Sequence, residues 1–145
     1  MISADTNLFI YAYVQGNSAY ESSRAFFADH RENRDFAICD LVLVEVYMQL
    51  RNPAVVKMPL SARDAVAYCR ALSEHPRWQY LRYNADIMPA LWDFAGKENT
   101  AFRRIIDARL ALTLRHYGVT RFATANEKDF QNFGFEKVWN PVKGE

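Results

Sequence analysis

The sequence predicts an α/β protein of three layers, α/β/α, around a central, mostly parallel sheet of about four to five short strands. Two observations carry that prediction. Short apolar runs alternate with longer helix-like stretches along the 145 residues, so strands and helices take turns. Half of the residues are hydrophobic, with ten Phe, eight Tyr and three Trp, which suffices for a substantial core. The length fits one domain, residues 1–145. No repeat, low-complexity tract or linker interrupts it.

The elements follow in order. Ile2 to Ala4 reads as the first strand, and a helix runs from Leu8 to about Val14. Gly16-Asn17-Ser18 breaks it, and Asn17 or Ser18 can cap a second helix through about His30. Phe36 to Cys39 is a short buried strand. Asp40 then caps a helix to about Arg51, which Asn52-Pro53 stops. Ser61 with Asp64 resembles a capping box for a helix to about Glu74. Trp78 to Leu81 is the third strand, and Asp86 opens a helix to about Lys97. A longer helix spans about Thr100 to Tyr117, with His116 in its last turn and Gly118 at the terminal position. Val119 to Thr124 is strand four, Glu127 to Phe130 one helical turn, and Lys137 to Trp139 a last short strand.

Composition narrows the function classes. A formal net charge of +1 gives no electrostatic case for nucleic acid by itself. Cys39 and Cys69 sit in apolar contexts without metal-like spacing, as reduced thiols of the cytoplasm do. Asp5 falls where a secretory leader would be basic, and no apolar run approaches the roughly 20 residues of a membrane span. The five glycines lack the spacing of a nucleotide-binding loop. His30, His75 and His116 are isolated, which argues against zinc.

Four acids stand out. Asp5 ends the first strand, where open α/β sheets bind ligands, although it can equally cap the following helix. Glu45 lies in Leu41-Val42-Leu43-Val44-Glu45-Val46-Tyr47-Met48, apolar on nearly every side. An unpaired buried carboxylate costs several kcal/mol, so a partner is required: a base such as Arg51, a shared proton or a metal. Asp107 interrupts Ile105-Ile106-Asp107-Ala108, and Arg103 or Arg104 on the same helix can pair with it. Asp129 follows strand four, where Asn126 can cap a turn whose start favours negative charge. A doubly wound sheet can bring all four to one edge. Carboxylates crowded there repel unless a cation neutralises them. Hard oxygen ligands in that number suit Mg²⁺ or Mn²⁺, which stabilise phosphoryl displacement.

Ala4-Asp5-Thr6-Asn7, Leu43-Val44-Glu45-Val46-Tyr47, Asp107-Ala108-Arg109-Leu110-Ala111 and Thr124-Ala125-Asn126-Glu127-Lys128-Asp129-Phe130 together resemble the PIN-domain family. Within it the chain is most similar to the VapC-type toxins of type II toxin–antitoxin pairs, over essentially its whole length. The resemblance implies a PIN-like fold and a Mg²⁺- or Mn²⁺-dependent endoribonuclease. It also implies a homodimer and a cognate antitoxin that holds the enzyme inactive. Asp5, Glu45 and Asp107 match the three fixed acids of the family. The fourth place varies between the positions of Asn126 and Asp129, so Asp129 is taken as the acid and Asn126 as a helper, with Glu127 a third possibility. Thr6 matches a hydroxyl position, and Asn7 and Thr124 look like supporting groups. The segment from Asn52 to Trp78 shares little with the family.

The expected reaction is hydrolysis of an RNA phosphodiester by water that the metal activates, with Asp5, Glu45, Asp107 and Asp129 as ligands. Arg51, Lys57, Arg103, Arg104 and Arg109 are candidates for phosphate contact and Tyr47 for base stacking, each set against a solvated surface or an internal ion pair. Two other readings compete. A PIN-like module without catalysis could act through a protein partner, although it would have no need to keep four adverse charges together. An aspartyl-phosphate phosphatase with Asp5 as nucleophile usually wants a second acid two residues on, where this chain has Asn7.

Overall fold

The sheet is built from five strands, β1 (Ile2–Ala4), β2 (Phe36–Cys39), β3 (Gln79–Leu81), β4 (Arg121–Ala123) and β5 (Lys137–Trp139), in the computed structural model. The structure describes residues 1–143, so the last two residues of the expected domain lie outside it. Neighbouring strands follow the order β3-β2-β1-β4-β5. Every pairing is parallel, so the sheet expected to be mostly parallel is wholly so among the described residues. β1 and β2 are buried at every position, which is why they read as continuous apolar runs.

Among the described residues six helices cover the sheet: α1 (Thr6–Tyr13), α2 (Tyr20–Asp29), α3 (Asp40–Leu50), α4 (Ala62–Ser73), α5 (Met88–Ala95) and α6 (Arg104–His116). Chain order runs outward from β1 to β3, then returns to β4 on the other side of β1. Right-handed crossovers therefore carry α1 to α4 over one face and α5 and α6 over the other. The helix pairs agree: α1 packs on α2 and α3, α3 on α4, and α5 on α6. Leu8, Phe36, Val42, Leu50, Leu114 and Phe122 are fully buried between the layers. Each contributes roughly 1.5–3 kcal/mol of apolar burial. Phe36 also meets the Trp78 ring at 4.5 Å between centroids.

Element boundaries moved where side chains found other partners. α1 begins at Thr6, two residues before the expected Leu8, because the Asp5 carboxylate accepts the Thr6 N–H and caps it. α3 has no side-chain cap: Asp40 is its first residue, and its carboxylate accepts the Tyr83 N–H at 2.9 and 3.1 Å, tying α3 to the segment after β3. α2 starts at Tyr20, and Asn17 accepts from Ala19 N–H in the turn before it. The expected cap at Asp86 belongs to Asn84, which opens a 3₁₀ turn, Ala85–Ile87, ahead of α5. α6 begins at Arg104 instead of Thr100, with turns before it. Ser61 does accept the Asp64 N–H, as its spacing suggested. α6 ends in paired bonds from Gly118 N–H to the Arg115 carbonyl and from Val119 N–H to the Leu114 carbonyl. Gly118 sits at φ +86°, a conformation other residues resist, so glycine is needed there. β3 and β4 are shorter than expected, while the 3₁₀ turn Glu127–Phe130 and β5 fall on the expected residues.

This topology fixes where a ligand can go. Ala4 pairs with Ala123, so β1 and β4 end level with each other. They flank the point where strand order reverses, and the crevice beyond such ends is where doubly wound sheets bind ligands.

Candidate active site

Asp5 and Thr124 are the first residues past β1 and β4, and they meet. The Asp5 N–H donates to the Ala123 carbonyl at 2.9 Å, continuing the ladder one step beyond the strands. The Thr124 hydroxyl then donates to the Asp5 carboxylate at 2.7 Å, and the Thr6 N–H donates to its other oxygen at 2.8 Å. Asp5 is only 7% exposed. Burial pushes its carboxyl up to about 6, helped by the charges of Glu45 and Asp107, while the Thr124 and Thr6 bonds pull the other way. Asp5 therefore caps α1 while its buried carboxyl is held above the ordinary carboxylate range.

Glu45 faces the same crevice from α3. It is half-buried, and the Thr6 hydroxyl donates to it at 3.0 Å. Arg51, one base that could have paired with it, donates to the Tyr47 hydroxyl at 2.8 Å and lies over that ring, so it is occupied elsewhere. Among the described residues no ion pair reaches Glu45. Thr6 thus links two acids 40 positions apart in the chain, its N–H on Asp5 and its hydroxyl on Glu45.

Asp107 comes from the first turn of α6 and Asp129 from the turn after β4. Arg104 holds both. Its guanidinium donates to Asp107 at 3.0 Å, lies 3.4 Å from the Asp129 carboxylate, and donates to the Asp129 carbonyl at 2.8 Å. Of the two bases considered for Asp107, Arg104 takes the place and Arg103 points elsewhere. The Asp107 carboxyl is still held above its ordinary range, first by burial and then by the charge of Asp129, with Arg104 opposing. Asn7 bridges the halves weakly, donating to Asp5 at 3.4 Å and accepting from Ala125 N–H at 3.3 Å. Asn126 starts the 3₁₀ turn without a side-chain cap; its N–H donates to the Thr124 hydroxyl at 3.0 Å. Asn126, Glu127 and Asp129 share the lining of one shallow pocket with Lys143.

The donor set is oxygen only, and the charges of Glu45 and Asp107 raise the cost of ionising Asp5. That chemistry fits a hard divalent cation. Among the described residues, however, no three His, Cys, Asp or Glu side chains stand close enough to form a ready-made ion site. Asp5 and Glu45 are joined through Thr6, and Asp107 and Asp129 through Arg104.

Of the cations named from sequence, Arg109 lies in a groove of about 560 Å³ with Glu45, Leu41, Val44, Met48, Gln49 and Ile106. Its Nε is buried and makes no hydrogen bond. Lys57 is exposed in the connection between α3 and α4. The three histidines serve locally: His30 contacts Asn33, His75 stacks on Trp78, and His116 contacts Asn84. Cys39 and Cys69 are free thiols. No helix among the described residues is long and apolar enough to cross a membrane. Sequence reasoning missed Phe102, an aromatic exposed at the mouth of α6; its signal was the run Phe102-Arg103-Arg104.

Comparisons with known proteins agree with this architecture. The family model described as PIN domain matches residues 2–136. The chain is 43% identical over 142 residues to Ribonuclease VapC24 of Mycobacterium tuberculosis, covering 98% of this chain and 97% of that one. Among solved structures it resembles VapC20 of Mycobacterium tuberculosis, described as a sarcin-ricin loop cleaving toxin, with a TM-score of 0.65, 17% identity and coverage of 84% and 87% of the two chains. It also resembles a chain of FitAcB from Neisseria gonorrhoeae, with a TM-score of 0.64, 19% identity and coverage of 99% and 100%. At such identities the structures speak for the fold, while the near-full-length relative speaks for descent. The chain belongs to the PIN-domain family, on its VapC-type branch.

Proposed function

We propose that this protein is a Mg²⁺- or Mn²⁺-dependent endoribonuclease, the toxin of a toxin–antitoxin pair, in which residues 1–145 form one nuclease domain. The observation that supports the reading is that Asp5, beside the strand-order switch point, is joined to Glu45 through Thr6 and feels the charge of Asp107, in a chain 43% identical to a named ribonuclease. Asp5, Glu45, Asp107 and Asp129 would hold the cation. When bound, it would neutralise phosphate charge and make water easier to deprotonate.

The protein's own groups do the positioning. Thr124 and the Thr6 N–H fix the Asp5 carboxylate, and the Thr6 hydroxyl fixes Glu45. These bonds keep two acids oriented before any ligand arrives, so little reorganisation is left for the reaction. Burial of Asp5 keeps bulk water from screening its charge. Arg104 keeps Asp107 and Asp129 from repelling each other until a stronger cation competes for them. The same acids would accept an arginine from a cognate antitoxin, since Arg–carboxylate pairs are strong and directional. A homodimer in the cytoplasm completes the reading.

The test is RNA cleavage by parent and Asp5→Asn proteins of equal purity, each with Mg²⁺ and with chelator. The parent should cut only with the cation, and Asp5→Asn should not cut while melting as one folded species. Equal cleavage by both removes the assignment.

A further inference from the structure

The chain between α5 and α6 is pinned in a way that holds one aromatic ring out in water. Lys97 Nζ and the Arg104 guanidinium lie 5.9 and 6.0 Å from the same Phe94 ring, so both ends of the loop close on it. Phe94 in turn packs on Phe133 at 5.1 Å. Bonds from Thr100 N–H to the Lys97 carbonyl and from Arg104 N–H to the Ala101 carbonyl tighten the turns. Asn99 adopts φ +64°, which Asn tolerates better than most residues. From this loop Phe102 stands 83% exposed. The Arg103 guanidinium lies over its ring at 5.4 Å, and neither side chain has another partner in the core. Single exposed apolar residues are ordinary. This one precedes by two residues the arginine that grips Asp107 and Asp129.

We propose that Phe102 and Arg103 form a stacking platform for an unpaired base of the RNA that the acidic site cuts. The inference rests on the ribonuclease reading and adds how substrate is gripped. Four carboxylates repel a polyanion, so affinity must come from cations and flat surfaces beside them. Lys97 and Arg103 supply the charge within seven residues. The Phe102 ring with its guanidinium offers a flat, cationic surface, and every base has a face to stack on it. Phe102 lies two residues before the start of α6, whose first turn carries Asp107. A base resting there thus belongs to the stretch passing the acids. Bases stacked within a duplex cannot use the platform.

Binding is read in an Asp5→Asn background, which keeps the RNA whole, by anisotropy of a short fluorescein-labelled single-stranded RNA of mixed sequence and of its duplex. Phe102→Ala should weaken single-strand binding about tenfold, Phe102→Trp should restore it, and duplex affinity should move less than about twofold. Arg103→Gln should lower the salt slope by about one. Phe102 is exposed, and matching melting curves check that the variants fold alike. Single-strand affinity of Phe102→Ala within about twofold of its parent overturns the proposal. So does loss of a dimer by light scattering with RNA affinity unchanged, which assigns the ring to a second copy. If the unmutated protein cuts RNA and Phe102→Ala matches it in cleavage and binding, only this inference falls. If the unmutated protein neither binds nor cuts RNA, the ribonuclease reading falls with it.

Discussion

Asp5 and Glu45 are held by neutral donors, whereas Asp107 and Asp129 are held by an arginine. The first pair sits where β1 and β4 end, buried or half-buried, on bonds from Thr6 and Thr124. The second sits on the rim, with side chains 32% and 47% exposed and Arg104 between them. The difference separates two ways of keeping carboxylates together. Neutral donors orient an acid and leave its charge for a ligand. An arginine cancels the charge and must share or yield it when a cation binds. The inner half is thus preorganised and the outer half is exchangeable.

Breaking the inner half should have the largest effect. Asp5→Asn should abolish metal-dependent RNA cleavage, measured on gels with fragments of total RNA, and leave the fold intact. Next in size is the cost of the buried charge itself. Asp5 titrates at about 6 in the folded protein against 3.8 unfolded, so its penalty is fully present above about pH 6 and fades as pH falls toward 3.8. In chelator, the parent should therefore gain up to about 3 kcal/mol relative to Asp5→Asn between pH 7 and pH 4, read by denaturant unfolding. A flat difference would mean that Asp5 is better solvated than its surroundings imply. Thr124→Val removes a donor to a buried carboxylate and should cost about 1–3 kcal/mol while moving the Asp5 carboxyl still higher. Carbon-detected NMR titration of the Asp5 side chain checks the direction. Smallest, and opposite in sign, is the outer half: Arg104→Gln removes a competing cation and should tighten Mn²⁺ binding several-fold in calorimetry, roughly 1 kcal/mol. Weaker binding in that variant would mean that Arg104 organises the acids for the metal instead of competing with it.

How much was legible beforehand follows the same division. Strand alternation was readable because parallel strands buried on both faces leave continuous apolar runs such as Phe36 to Cys39. The 3₁₀ turn Glu127–Phe130 and β5 were readable from local composition. Helix starts were less so. Asp40 has the residue type of a cap, yet its carboxylate serves Tyr83, 43 positions away, and no local rule announces a distant backbone donor. Asp86, expected to open the helix, instead donates its N–H to Asn84, two residues earlier, which caps the 3₁₀ turn. The acids could be nominated because a carboxylate in an apolar helix needs a partner. Which partner each finds was not readable. Glu45 takes a hydroxyl from Thr6 instead of Arg51, which lies over Tyr47 on its own helix. Arg104 was readable only as one of two options, because Arg103 and Arg104 both fall within a turn of Asp107 and rotamer packing on Phe94 decides between them. Phe102 was hinted at only by the adjoining Arg103-Arg104, because its exposure is a property of the folded loop.

Mn²⁺ titration calorimetry on the parent, Asp5→Asn and Asp107→Asn most directly tests whether the inner and outer acids serve one cation. The account predicts uptake by the parent and at least about a tenfold loss of affinity in both variants. Uptake that is absent from the parent, or that survives both substitutions unchanged, contradicts it and favours a PIN-like module that acts through a protein partner.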